Sequence, residues 1–205
     1  MSPFTPTELR FLARHGFLPG DVYDGRFETK TGRKMSAKKA GKILVLTNVI
    51  GRTKCRTLQH RLRTASGHCV QCNPKNIAFE ARESSPGYIY IAGSLSGRLI
   101  KIGTAKDIPQ RERQLRAEKH GGPADWVVLF SVKVTEAGRI EREALSRVDG
   151  KRVFRPYYKD GYEQIATEIL ECPFSAALKA LTASVGDIDS YDTWQSSEYC
   201  KYEFI

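Results

Sequence analysis

Gly87-Tyr88-Ile89-Tyr90-Ile91, then Lys101-Ile102-Gly103, then Arg111 form the stretch whose reading decides the fold. Two short apolar runs, Tyr88 to Ala92 and Leu99 to Ile102, flank the polar loop Gly93-Ser94-Leu95-Ser96-Gly97-Arg98, a pattern that predicts a two-stranded antiparallel hairpin. A helix over Ile108 to Lys119 follows at once. Asp107 is its cap, Pro109 sits in its first turn where a missing N–H costs little, and His120-Gly121-Gly122-Pro123 ends it. This unit brings a Tyr, a Lys and an Arg near one another on a small scaffold.

Downstream, Trp126 to Val134 reads as a third strand and Ala137 to Val148 as a helix with Ile140, Ala144, Leu145 and Val148 on one face. Tyr162 to Leu170 reads as a helix with Ile165, Ile169 and Leu170 inward, broken by Pro173, and Ser175 to Ala183 as another. The segment from 187 onward, acidic and aromatic, either docks back on a basic surface or is loose.

Charge divides the chain. Residues 1–86 hold 16 Lys and Arg against 6 Asp and Glu, whereas residues 87–205 hold 17 against 17. The whole excess lies before Gly87, and Glu83-Ser84-Ser85-Pro86 reads as a linker. We expect a basic N-terminal module (1–86), a second domain (87–172) and a C-terminal helix with its tail (173–205). A basic module favours a polyanion, most commonly nucleic acid. With 40% apolar and 27% charged residues, global disorder is excluded. No apolar run reaches membrane-spanning length and no signal-peptide pattern opens the chain, so the expectation is a cytoplasmic protein with no membrane partner.

Within the basic module, Thr5-Pro6-Thr7-Glu8 has capping-box spacing for a helix through Leu9, Phe11 and Leu12, ended by Gly16. Asp21 to Lys42 reads as turn-rich and basic, and Ile43 to Leu46 as a buried strand. Cys55, His60, Cys69 and Cys72 then have the spacing of a structural Zn²⁺ site, with His68 as the rival fourth ligand. The segment 55–72 resembles a small treble-clef or ribbon zinc finger. Arg56, Arg61 and Arg63 between the ligands, with Lys38 and Lys39 upstream, are the candidate nucleic-acid contacts. Cys172 and Cys200 read as plain thiols.

Tyr90, Lys101-Ile102-Gly103 and Arg111 together resemble the GIY-YIG nuclease superfamily over about 87–170. Lys101 stands eleven residues after Tyr90 where the family has its second Tyr, and Arg111 ten residues further on. Tyr88 replaces the family Gly, and Leu115 stands where a His is often found, with His120 the nearest His. The resemblance implies an α+β fold with a small three-stranded antiparallel sheet flanked by helices. It also implies a metal-dependent endonuclease cutting DNA, double-stranded foremost, with Mg²⁺ or Mn²⁺ held by a Glu on the helix after the third strand. Glu141 fits that position, and Glu143 and Glu112 compete with it. Arg111 would hold the phosphate, and either Tyr90 or Lys101 would act as base. Two other readings stand beside this one: an inactive nucleic-acid-binding protein of the same fold, and a protein-interaction domain with incidental basic charge.

Overall fold

The computed structural model describes residues 2–48, 55 and 59–204. The chain separates into two compact units, Met1–Glu83 and Ser84–Ile205. Among the described residues, no helix is long and apolar enough to cross a membrane.

The first unit opens with α1 (Pro6–Arg14). Its capping box is formed: Thr5 Oγ1 accepts from Glu8 N at 3.3 Å, and Glu8 Oε2 accepts from Thr5 N at 2.8 Å. A three-stranded sheet follows, in the order β1 (Val22–Asp24), β2 (Leu44–Leu46), β3 (Leu62–Thr64), with β1 and β2 parallel and β2 and β3 antiparallel. The parallel pair needs a crossover, and α2 (Lys30–Lys39) supplies it. The segment from Asp21 to Lys42 is therefore not simply turn-rich. Its helix is masked in the sequence because only Arg33 and Ala37, one turn apart, are buried, and Thr29 caps Gly32 N. Leu12, Val22, Leu44, Leu46, Leu62 and Val70 form the core. The unit runs on into α3 (Lys75–Ser84).

The second unit holds the hairpin β4 (Gly87–Ser94) and β5 (Leu99–Ala105), then α4 (Ile108–Ala117), β6 (Val127–Val134), α5 (Ala137–Arg147), β7 (Lys151–Lys159), β8 (Tyr162–Glu171), α6 (Phe174–Val185) and β9 (Thr193–Gln195). Asp107 caps α4 through Gln110 N at 2.7 Å. The sheet has six strands in the order β7-β8-β5-β4-β6-β9, rather than the expected three. The extra strands come from two places. Residues 162–170, expected as a helix, form β8, because Asp160 and Gly161 turn the chain with positive φ (53° and 80°) and close a two-residue hairpin between Lys159 and Tyr162. The segment beyond α6 adds β9 beside β6 and buries Tyr202 in the main core.

The sheet has two different faces. Ile89, Ile91, Ile100 and Ile102 share a core with Ala137, Ile140 and Ala144 of α5 and with Ala177 and Leu181 of α6. Tyr90 and Ala92 lie opposite Gly103 and Lys101 across the β4–β5 ladder, so all four point the other way. There Tyr90 and Ala92 pack with Leu115 of α4, Trp126, Val128 and Ile169.

Candidate active site

Tyr90 is fully buried and its hydroxyl accepts from Arg111 Nε at 3.0 Å. The contact is possible because Gly103 faces the ring: a Cβ at that position would stand 2.6 Å from the Tyr90 hydroxyl. A glycine is required here by the close approach of the phenol. Desolvation works against the Arg111 charge, but Tyr90 beside it outweighs the burial and raises its pKa.

Lys101 is 2% exposed and its Nζ donates to Glu168 Oε2 at 2.9 Å. Burial pushes the Glu168 carboxyl up. The Lys101 ammonium, with His120 and Arg111, more than reverses this and holds it below the ordinary carboxylate range. Glu168 comes from β8, where the ladder with β7 slips: β7 advances two residues, Val153 to Arg155, while its partners move three, Ile169 to Ala166. Such a bulge re-aims side chains, and this one lies at Glu168.

His120 is the further member of the cluster. It is 2% exposed, both ring nitrogens lack a hydrogen-bond partner, and its ring packs 4.2 Å from that of Tyr157. Desolvation, then the charges of Lys101 and Arg111, push its pKa down to about 3, so the imidazole is neutral at ordinary pH. Trp126 Nε1 donates to the His120 carbonyl at 2.9 Å and fixes the turn.

The structure thus brings together Tyr90, Lys101 and Arg111, and adds Glu168 and His120. Glu141 is not part of this group. Its helix α5 packs on the isoleucine face of the sheet, away from Tyr90. Glu143 is taken by Arg139 and Arg147, and Glu112 by Arg116 and Val128 N. Sequence reasoning missed Glu168 because it was placed on a helix. The one available signal was the Asp160-Gly161 turn, which makes its segment a strand.

In the first unit, the sulfur atoms of Cys55, Cys69 and Cys72 all lie within 4.8 Å of one another. His60 Nδ1 is 3.3 Å from Cys72 Sγ and 3.7 Å from Cys69 Sγ. Tetrahedral Zn²⁺ with Zn–S of about 2.3 Å and Zn–N of about 2.0 Å sets S···N edges of about 3.5 Å, so these residues fit a metal such as zinc. Burial, and then the neighbouring thiols, raise the Cys69 pKa to about 11, a cost that a cation among the sulfurs would remove. His68 is exposed, on the turn between Thr64 and Cys69.

The finger arginines are not presented as expected. Arg61 grips both oxygens of Glu8, at 2.9 and 2.6 Å, and the carbonyl of Pro3 at 3.0 Å. Arg63 is 3% exposed, donating to the Gly67 carbonyl and towards Cys55 Sγ. Both guanidinium groups hold the unit together instead of facing a phosphate. Arg56 lies outside the described residues. Lys38 and Lys39 are exposed in the last turn of α2. A further cationic surface is the edge strand β7, which carries Lys151, Arg152, Arg155 and Lys159 and no carboxylate.

The second unit is an α+β domain in which one sheet face collects a phenol, two cations, a carboxylate and a neutral imidazole. Residues 87–184, just under half of the chain, match the T5orf172 domain, a domain found in some GIY-YIG-like and HNH-like nucleases; the match is not to a GIY-YIG family itself. No curated protein and no solved structure matches the chain significantly.

Proposed function

We propose that this chain is a metal-dependent endonuclease, with the reaction carried out by Tyr90, Lys101, Arg111 and Glu168 on the T5orf172-like domain. The observation that carries this reading is the convergence of those four side chains and His120 on one sheet face, three of them at the spacing of the GIY-YIG motifs. Glu168 takes the role expected of Glu141. Its half-exposed carboxylate fits Mg²⁺ or Mn²⁺, ions that keep their waters and need few protein ligands. When bound there, such an ion supplies charge neutralisation at the phosphate and at the leaving oxygen.

The chain's own groups do the rest. Arg111 Nε points at the phenol oxygen of Tyr90, where negative charge develops as that group gives up or takes a proton, and its remaining N–H groups face the phosphate. Lys101 stays a cation that orients Glu168, which favours Tyr90 over Lys101 as the base. His120, neutral and without a hydrogen-bond partner, is an acceptor beside the site.

In the same reading, Cys55, His60, Cys69 and Cys72 hold a structural Zn²⁺, and the basic first unit, through Lys38 and Lys39, binds DNA. Free thiols and a zinc set suit the reducing cytoplasm. The test is cleavage of plasmid DNA with Mg²⁺ or Mn²⁺ against EDTA, by wild type and Glu168→Gln. Metal-dependent nicking lost in the variant is expected. Wild type that binds DNA yet stays inert with either ion overturns the enzyme reading in favour of a binding protein.

A further inference from the structure

Beside the candidate site, on the same sheet face, lies a cleft of about 540 Å³ that the reaction above does not use. Tyr88 and Trp194 line it with Ile108, Pro109 and Val128, and Lys106 stands at its rim. Register places it with respect to Tyr90. Ser131 of β6 is opposite Tyr90, and Trp194 of β9 is opposite Ser131. Two strand spacings, about 10 Å, therefore separate Trp194 from Tyr90 across the sheet.

Trp194 is 52% exposed, and its indole N–H makes no hydrogen bond among the described residues. A ring of that size left in water on an edge strand is a stacking surface without an occupant. Its surroundings favour an anionic strand. Lys106 has no hydrogen-bond or ion-pair partner among the described residues, and Lys133 Nζ sits 6.0 Å from the centre of the Tyr88 ring. Aromatic surfaces flanked by lysines are how proteins hold single-stranded nucleic acid, because every base has a π-face and every nucleotide a phosphate.

We propose that this cleft is a nucleobase subsite, in which Trp194 stacks on an unpaired base near the phosphate held by Arg111. A span of about 10 Å corresponds to roughly three stacked nucleotides at about 3.4 Å each, and to fewer once the strand is unstacked. Bases inside a duplex have both faces covered, so the occupant is a base in a single-stranded or frayed segment. This rests on the nuclease reading and narrows its substrate to strands with unpaired bases.

The experiment is a fluorescence titration of the full chain in EDTA. The chain has two tryptophans: Trp126 is fully buried, so Trp194 reports on solvent-side contacts. The probes are an oligothymidylate and an abasic oligonucleotide of equal length and charge. Quenching by the first and not by the second is expected. Trp194→Ala should weaken binding of a labelled oligothymidylate about five- to hundredfold by anisotropy, while Trp194→Phe retains most of it. Equal quenching by the abasic strand, no quenching by either, or unchanged affinity in Trp194→Ala overturns the subsite. Because no cleavage is involved, base-dependent quenching in a protein inert with Mg²⁺ and Mn²⁺ would retain the subsite and reject the nuclease reading. Metal-dependent cleavage without that quenching would do the reverse.

Discussion

Replacing Glu168 with Gln removes one charge and keeps the side chain's shape, so it isolates the Lys101–Glu168 pair. The two groups are 2.9 Å apart, with Lys101 2% and Glu168 37% exposed. At an effective dielectric constant of about 20, unit charges at that distance attract by about 6 kcal/mol. Desolvation of the ammonium offsets most of this, and water screens the exposed flank of the carboxylate. The net loss should be about 1–2 kcal/mol, near that of a hydrogen bond to a charged group. Because the Glu168 pKa is lowered in the fold, this contribution is complete above the unfolded carboxyl value of about 4.3 and disappears as pH falls through the folded value. His120, held neutral, acts differently: it costs stability as pH falls below about 6.5, but in wild type and variant alike. Urea unfolding followed by tryptophan emission suits the measurement, since Trp126 and Trp194 both lie in the second unit. Glu168→Gln should be less stable than wild type at pH 7, and the gap should close to within about 0.5 kcal/mol near pH 3. A gap that is the same at both pH values would refute the ion pair as its source.

Two other outcomes follow from the packing. Gly103→Ala drives a methyl group to 2.6 Å from the Tyr90 hydroxyl, so it should cost about 1–3 kcal/mol of stability and, through the displaced phenol, lower cleavage far more than Arg111-independent DNA binding; equal losses in cleavage and binding would contradict this. Freshly purified protein should carry about one zinc per chain, abolished in Cys69→Ser, and a strong chelator should unfold the first unit while tryptophan emission of the second is unchanged.

The hairpin β4–β5, α4 and its cap were legible because each depends on residues close in sequence: alternating apolar runs, Asp107, Pro109. Tyr90, Lys101 and Arg111 were legible for the same reason, since strand pairing and the first helical turn bring them together. Glu168 was not. Its approach needs β8 to pair with β5 and a bulge to re-aim it, neither of which leaves a local trace. The spacing of Ile165, Ile169 and Leu170 imitates a helix, yet Ile165 is 54% exposed and only the other two reach the core. Arg61 and Arg63 looked like phosphate contacts because the partner of one, Glu8, is 53 residues away and the other's burial depends on the fold of the cysteine cluster.

The exchange of the expected Tyr for Lys101 and the move of the carboxylate from α5 to β8 explain each other. A cation 2% exposed on the Tyr90 face requires an opposite charge within hydrogen-bond reach, and no residue of α5 can provide it from the other side of the sheet. Glu168 provides it, and the pair stays together only while both remain. With Arg111 charged and His120 neutral, the cluster as a whole keeps one positive charge, the sign a phosphodiester needs. The overall neutrality of residues 87–205 therefore conceals a local excess: β7 adds four cations without a carboxylate at the edge next to Glu168's own strand, while the acids of α5 are occupied by Arg139 and Arg147. A substrate strand does not depend on the first unit alone to be drawn to Tyr90, and removing the β7 cations should reduce the salt dependence of binding by the isolated charge each contributes.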